Sequence, residues 1–318
     1  MSQHKIFELF SSLQSSVGEV ISRQGNIKCI FCGAQTNLVT TRVKNKIIKV
    51  CSNCGYNYSF DWDNQDLVSD VSIYAFLESL KDKKRDVSII ILSYNSKDIT
   101  KKCLLSLSQI INPFELVIVD NGSKDGLREW LTELKSKISH KNLKVILNDE
   151  NMGVAAGRNL GAKASSGDYL LFLDNDMIML NKFDLNMLKS EIDSDKIQTG
   201  LFHGQHNAYY FVLGGFSMIR RKDFLKLGMF DTIWGNYWFD DTDFTLKALK
   251  ESGRPASIVN NKEYVYHIAG ASYMRNNSHK VIAEDKSKKL AILDERWKNI
   301  VIDNKLTFKN NLIQFEVN

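Results

Sequence analysis

From Val87 onward the chain alternates apolar runs with stretches of helical periodicity, and every apolar run stops at polar or glycine-rich residues. VSIIILS, FELVIVD, LKVILN and YLLFLD read as strands covered on both faces, because such strands are apolar at every position and not only at alternate ones. DITKKCLLSLSQI, GLREWLTELKSKIS and VAAGRNLGAKAS lie between them and read as helices, with Asp98 capping the first. Strand–helix–strand units of this size imply a parallel sheet with right-handed crossovers. The clusters Ser93-Tyr94-Asn95, Asp120-Asn121-Gly122-Ser123, Asn151-Met152-Gly153 and Asp174-Asn175-Asp176 then gather on one edge, where open α/β sheets take their ligands. The expected fold class is α/β: a Rossmann-like, mostly parallel sheet with flanking helices.

The fourth strand ends at two carboxylates one residue apart, Asp174 and Asp176. Two carboxylates at a strand end are costly unless they face water or a cation. Oxygen ligands of this kind suit Mg²⁺ or Mn²⁺, which can in turn hold a diphosphate. An acidic turn is the alternative for this short pattern. No G-x-G-x-x-G follows the first strand and no G-x₄-G-K-[ST] occurs, so dinucleotide-binding and P-loop assignments lack their mechanism.

With 318 residues the chain can hold one large domain and a small one. A net charge of +5 is mild for that length; it suits anionic ligands and does not require nucleic acid. No apolar run approaches the ~20 residues that span a bilayer. MSQHKIFELFSSLQSS lacks a basic region followed by an apolar core and reads as an amphipathic helix, so a cytoplasmic protein with reduced thiols is expected.

Four of the five cysteines form Cys29-x₂-Cys32 and Cys51-x₂-Cys54, with eighteen residues between the pairs. This spacing reads as a closed, structural Zn²⁺ site on a zinc ribbon, with LVTTRVKNKIIKV as strand, turn and strand. Redox pairs or disulfides are the alternatives. Cys103 falls in a helical pattern and reads as a buried small hydrophobe. The expected organisation is an N-terminal helix at 1–25, the ribbon at 26–60, a helical linker at 61–85, the main domain at 86–275 and a helical extension at 276–318.

VSIIILSYN, VIVDNGSKDG, NMGVAAGRNLGA, FLDND and the later FDDTDFTLKA follow the order seen in family 2 glycosyltransferases of the GT-A fold, over roughly 86–270. The chain resembles the rhamnosyltransferase-like branch of that family. The resemblance implies a metal-dependent, inverting transferase that uses a nucleotide-sugar donor, UDP-sugar first and dTDP- or GDP-sugar next. Tyr94 and Asn95 would contact the nucleotide and Asp120 its base or ribose. Arg158, near a helix start, would face the diphosphate. Asp176 would bind Mn²⁺ or Mg²⁺, with Asp174 on the donor sugar or ribose and His267 completing the metal shell. Asp241 would be the base and Asp240 an acceptor contact, Asp240 standing where the family has a glutamate. Gly214 and Gly215 would let the backbone approach the sugar or acceptor, and Asp243 would be structural. Trp234, Tyr237, Trp238 and Phe239 form either a sugar platform or part of the core. His203 and His206 read as loop residues or acceptor contacts.

A glycan, lipid-linked or peptide acceptor is expected. The lysine-bearing helical pattern at 279–299 would allow peripheral contact with the inner face of a membrane, though such a stripe also suits a plain solvated face. Two rivals remain. A nucleotidyltransferase would need a basic loop after the first strand, and ILSYNSKD is not one. A zinc-ribbon module binding nucleic acid or protein on a degenerate scaffold fits the basic Arg42, Lys44, Lys46 and Lys49 but not the intact Asp176 and Asp241.

Overall fold

The computed structural model describes residues 19–28, 35–43, 46–51, 70–81, 83–259, 264–267 and 279–316, and only the backbone of 19–51, 71–72 and 279–284. The chain divides into two compact units, 1–76 and 77–318. In the first, β1 (Glu19–Lys28), β2 (Gln35–Val43) and β3 (Lys46–Cys51) form an antiparallel sheet in that order. The two strands expected within 38–50 match β2 and β3. Residues 19–25, expected in an N-terminal helix, lie instead in β1; its Val20 and Ile21 are β-branched and suit a strand. Cys51 closes β3, while Cys29, Cys32 and Cys54 lie outside the described residues. Helix α1 (Asp70–Glu78) carries the boundary between the units, earlier in the chain than the expected 84–86.

The second unit is built on a nine-stranded sheet. Its interior strand β4 (Val87–Ser93) is flanked in parallel by β5 (Glu115–Asp120) and β7 (Tyr169–Asp174), with β6 (Leu143–Leu147) beyond β5 at the edge. Helix α2 (Lys97–Ser106) joins β4 to β5, α3 (Leu127–Lys137) joins β5 to β6, and α4 (Val154–Ala164) returns the chain to β7. The helix α2 starts at Lys97 with Ser96 at its cap, two residues earlier than the Asp98 cap expected. Strand order reverses between β4 and β7. Right-handed crossovers therefore put α4 on the face opposite α2 and α3, and a crevice opens at the strand ends where the reversal occurs. Gly157 and Gly161 let α4 lie close on the sheet, since a Cβ at either would collide with Leu92 or Ile90.

Beyond β7 come β12 (Phe216–Arg220), β9 (Gln198–Gly200), β13 (Ala256–Ile258), β16 (Leu312–Phe315) and β15 (Leu306–Lys309). All strands but β12 and β16 run one way. This is the mixed α/β layering with a mostly parallel sheet that the sequence predicts. Two small sheets stand apart: β8 (Met177–Met179) pairs with β14 (Val265–His267), and β10 (His203–His206) pairs with β11 (Tyr209–Val212). The helices α5 (Asn186–Asp193) and α6 (Arg221–Lys226) complete this region, and α7 (Asp240–Ser252) precedes β13.

The C-terminal segment is a helix, α8 (His279–Asp303), followed by the β15–β16 hairpin, which extends the main sheet and is not a separate helical appendage. The helix α8 buries Leu293, Trp297 and Val301, a stripe at i, i+4 and i+8, in the core of this unit. Burial of side chains this size contributes about 1.5–3 kcal/mol each. Asp243 ties α7 to α8, accepting from Arg296 Nη1 at 2.8 Å and Trp297 Nε1 at 2.7 Å. Among the described residues no helix is long and apolar enough to cross a membrane.

Candidate active site

Three elements deliver three ligand-type side chains to the crevice. Strand β7 ends at Asp174, the turn after it carries Asp176, and β14 brings His267 opposite Met177 at the start of β8. Ligand atoms of Asp174, Asp176 and His267 all lie within 4.8 Å of one another. Asp176 Oδ1 is buried without a hydrogen-bond partner among the described residues, and His267 Nε2 stands 3.4 Å from it. Burial pushes the Asp176 carboxyl pKa up, and the nearby Asp174 charge adds to this against the pull of His267. Burial works the other way on His267, but the Asp176 carboxylate prevails and its pKa rises above the usual value. Carboxylates and an imidazole this close, one oxygen unsatisfied, fit a hard or borderline divalent cation.

Arg158 lies behind the triad on α4, 7% exposed. Its guanidinium forks between two carboxylates, Nη2 donating to Asp174 at 2.6 Å and Nη1 to Asp240 at 2.9 Å. Those two acids outweigh burial and hold its charge fixed. Asp240 opens α7 and is buried, turned to Arg158. Asp241, next to it, accepts from the Gly214 N–H at 3.1 Å and the Thr242 N–H at 2.8 Å. Burial first, then the charge of Asp240, push Asp241 up to about 7. A carboxylate in that range can take a proton near neutral pH. The turn before α7 is strained: Trp238 and Phe239 sit in the left-handed region at φ 71° and 69°. That costs about 1–2 kcal/mol per residue and is a mark of functional sites.

Gly214 and Gly215 make room inside the protein. A Cβ on Gly215 would collide with the Asp174 carboxylate, and one on Gly214 would come within 2.7 Å of Arg158 Nη1. Their backbone approaches the site's own charges, where the sequence predicts approach to a sugar or acceptor.

A cavity of about 310 Å³ opens onto the triad, lined by Tyr94, Asn121, Asn151, Arg158, Asp174, Asp176, Tyr237, Trp238 and His267 among others. Tyr94 is where the sequence predicts it. Asn95 is not on the lining: at φ 48° its N–H donates to Ser123 Oγ and its side chain accepts from Lys124 N, binding two loops together. Asp120 is fully buried beneath the lining, accepting from the Ser123 N–H at 3.2 Å with Arg128 at 3.8 Å. Its neighbour Asn121 reaches the cavity instead. Asn121 also joins the loops, donating to Asn151 Oδ1 at 2.8 Å and accepting from Asn148 at 3.0 Å. Asn121 and Asn151 lie in the edge loops the sequence predicts but were not singled out as contacts, and Asn236 was missed. Asparagine in a turn reads as turn chemistry, and nothing local separates that from ligand contact.

The aromatic group divides. Trp234 is 1% exposed, its ring 5.9 Å from Phe239 and beneath Arg296, so it is a core residue and not a sugar contact. Phe239 is buried beside it, while Tyr237 and Trp238 line the cavity. His206 stacks on Phe211, and burial with the charge of Lys286 lowers its pKa to about 4, so it stays neutral. His203 packs 4.1 Å from the Phe308 ring. Neither histidine belongs to the triad. Cys103 is buried, as its helical pattern predicts.

Residues 88–208 match the family described as Glycosyl transferase family 2. Glycosyltransferase AglE of Haloferax volcanii is 39% identical over 93 residues, a stretch covering 28% of this chain and 30% of that one. An uncharacterized glycosyltransferase of Haemophilus influenzae is 30% identical over 191 residues, covering 52% of this chain and 62% of that one. Among solved structures, mannosyltransferase PcManGT from Pyrobaculum calidifontis, in complex with GDP-Man and Mn²⁺, aligns over 64% of this chain and 66% of its own, at 17% identity and TM-score 0.48. For AglE, for YfnE of Bacillus subtilis and for another Haemophilus influenzae glycosyltransferase, the matched stretch spans 30%, 32% and 38% of the relative's length.

Proposed function

We propose that this chain, with a glycosyl transferase family 2 domain over residues 88–208, is a metal-dependent inverting glycosyltransferase. It would move a sugar from a nucleotide-sugar donor, UDP-sugar before dTDP- or GDP-sugar, to a nucleophile of a glycan, lipid-linked or peptide acceptor. One observation carries the reading. A buried arginine bridges Asp174, of a cation-sized triad with Asp176 and His267, to Asp240, the residue before a base-competent carboxylate, Asp241.

The unsatisfied, buried Asp176 Oδ1 fits a cation ligand. Mn²⁺ or Mg²⁺ bound by Asp176, His267 and Asp174 would stabilise charge on the departing nucleoside diphosphate. The chain's own residues do the rest. Arg158 keeps a permanent positive charge beside the crevice, and Asp240 holds that guanidinium in place; this replaces the acceptor contact expected for Asp240. Tyr94 and Asn121 form the nucleoside end of the cavity above Asp120. Tyr237 and Trp238 supply a wall for the sugar. Asp241 takes the acceptor's proton as its nucleophile attacks the anomeric carbon, and a single base suits a single displacement with inversion.

The test is nucleoside-diphosphate release from UDP-, GDP- and dTDP-sugars with Mn²⁺, Mg²⁺ or EDTA, the native chain beside Asp176→Ala, both checked for folding. Metal-dependent release from one donor, lost in the variant, is the expected result. The absence of both release and donor binding by calorimetry would sink the proposal.

A structural Zn²⁺ on Cys29, Cys32, Cys51 and Cys54 belongs to the same proposal. Its support is topological. β1 and β3 flank β2 and run in the same direction, ending at Lys28 and Cys51, so the first C-x₂-C pair follows directly on the end of β1 and the second begins at the end of β3. One zinc per chain by elemental analysis is expected; a zinc-free, folded first unit would refute it.

A further inference from the structure

We infer that a buried network of Ser93, Thr100 and Asn175, behind the Asp174–Asp176 turn, is the frame that positions the cation triad; this rests on the metal-dependent reading above. The centre of the turn poses a problem. Asn175, between the two acids, is 6% exposed and brings an amide with two N–H donors. A buried amide left without partners is strongly unfavourable, so the turn keeps its shape only if that amide is received. It is received twice: Nδ2 donates to Ser93 Oγ at 3.1 Å and to Thr100 Oγ1 at 3.0 Å.

The two hydroxyls lie 2.6 Å apart, and Thr100 Oγ1 also donates to the Ser96 carbonyl at 2.8 Å. One proton arrangement satisfies both hydroxyls and the Asn175 N–H groups. The Thr100 proton goes to Ser96, the Ser93 proton goes to Thr100 Oγ1, and both oxygens keep lone pairs for Asn175. Ser93 and Thr100 are at most 1% exposed, so water does not compete. A closed network of this kind rigidifies what it holds.

The same face of α2 continues the grip. Thr100, Cys103 and Ser106 recur at intervals of three and share that face. The Cys103 thiol lies 3.7 Å from the Asp174 carbonyl, and Ser106 Oγ accepts the Met179 N–H at 3.0 Å. β8 starts directly after Asp176, and its register with β14 sets His267 opposite Met177. Fixing one turn therefore fixes all three ligand residues: two flank Asn175, and the third follows from the start of β8.

Thr100→Val keeps the shape and removes the hydroxyl, while Thr100→Ser keeps the hydroxyl. Mn²⁺ binding to the full chain is measured by calorimetry, with and without UDP, alongside the thermal midpoint. Partners behind metal ligands typically change affinity 10–100-fold, so the valine variant should raise the Mn²⁺ dissociation constant about tenfold or more. The serine variant should stay near native. Ser93→Ala removes the other acceptor, should act in the same direction, and serves if the valine variant does not fold. Ser88→Ala, at the far end of β4, controls for plain destabilisation: its midpoint should fall with Mn²⁺ affinity unchanged. Native-like affinity in the folded Thr100→Val or Ser93→Ala chain, or an equal loss in Ser88→Ala, overturns the inference and leaves metal dependence standing. A native chain without Mn²⁺ affinity in either condition overturns both.

Discussion

Strand β5 carries a fully buried carboxylate at each end, and the two meet opposite environments. At its start, Glu115 accepts from Ser88 Oγ at 2.5 Å, from the Ser166 N–H at 2.7 Å and from Ser166 Oγ at 2.8 Å. Lys144 at 2.8 Å and Arg85 at 3.2 Å add positive charge. Burial alone would raise its pKa, yet these partners outweigh burial and bring it from 4.5 down to about 2. At the other end burial prevails over Ser123 and Arg128, and Asp120 is raised. The contrast extends along both edges of the sheet. At the N-terminal edge the Glu115 carboxylate is paired at both oxygens. The C-terminal edge leaves Asp176 with an unsatisfied oxygen and pushes Asp241 up to about 7. Under the proposed function, a cation, a diphosphate and an acceptor would supply the partners missing on that edge, so that one edge would serve the fold and the other binding and chemistry.

The comparison can be broken most forcefully at Asp241. Asp241→Asn should lower transfer about 10²–10⁴-fold, the range of a general base, with donor affinity retained. In the native chain, kcat should rise with pH through about 7 as this carboxyl ionises. A rate that is flat from pH 5 to 9 while chemistry limits turnover would remove Asp241 from the base role.

At the opposite edge, Glu115→Gln should leave Mn²⁺ affinity intact and unfold the protein more easily. Removing one partner of a buried ion pair costs about 3–5 kcal/mol. At roughly 2–4 °C per kcal/mol the midpoint should fall on the order of 10 °C by calorimetry. A change of only a degree or two would mean that the Glu115 cluster is not what secures that edge.

Acid and base titrations sharpen the contrast through their signs. Glu115 has a lowered pKa, so its stabilisation is present above its unfolded value of 4.5 and is lost as pH falls through about 2. Asp241 has a raised pKa, so its contribution is present below 3.8 and is lost as pH rises through about 7. Asp241→Asn should therefore raise the midpoint at pH 8, by roughly 2–4 °C for each kcal/mol relieved, and leave it nearly unchanged at pH 4. A loss of stability at pH 8 would contradict the burial argument.

The smallest expected effect separates two tryptophans. Trp238→Ala should raise the donor KM by roughly 2–10-fold, the worth of one aromatic contact. Trp234→Phe should lower the thermal midpoint and leave KM alone, because that ring is enclosed in the core.

The sequence made the crevice legible because strand ends carry their own signal. A run such as YLLFLD needs burial on both faces, so the acids that stop it must stand at an edge. Asp174 and Asp176 were read in this way as strand-end carboxylates, Arg158 from its place near a helix start, and Asp241 and His267 from the family resemblance. The same local reading misjudged residues whose surroundings lie far away in the chain. Trp234 looked like a platform because nothing near it shows that Phe239 and Arg296 enclose it. The glycines at 214 and 215 looked like room for a ligand, yet a Cβ on Gly215 would meet Asp174, 41 residues earlier, and one on Gly214 would meet Arg158, 56 residues earlier.

By itself, then, the sequence determined the alternation of strands and helices, the edge on which the polar loops gather, and which side chains have the chemistry to hold a cation or move a proton. These follow from periodicity and functional groups, which are local properties. Only the tertiary structure decided that Arg158 spans Asp174 and Asp240, that the pairing of β8 with β14 brings His267 to the triad, and that burial raises Asp241 while Glu115 is lowered. Those outcomes depend on desolvation and on charges brought together from distant positions, and both exist only once the chain has folded.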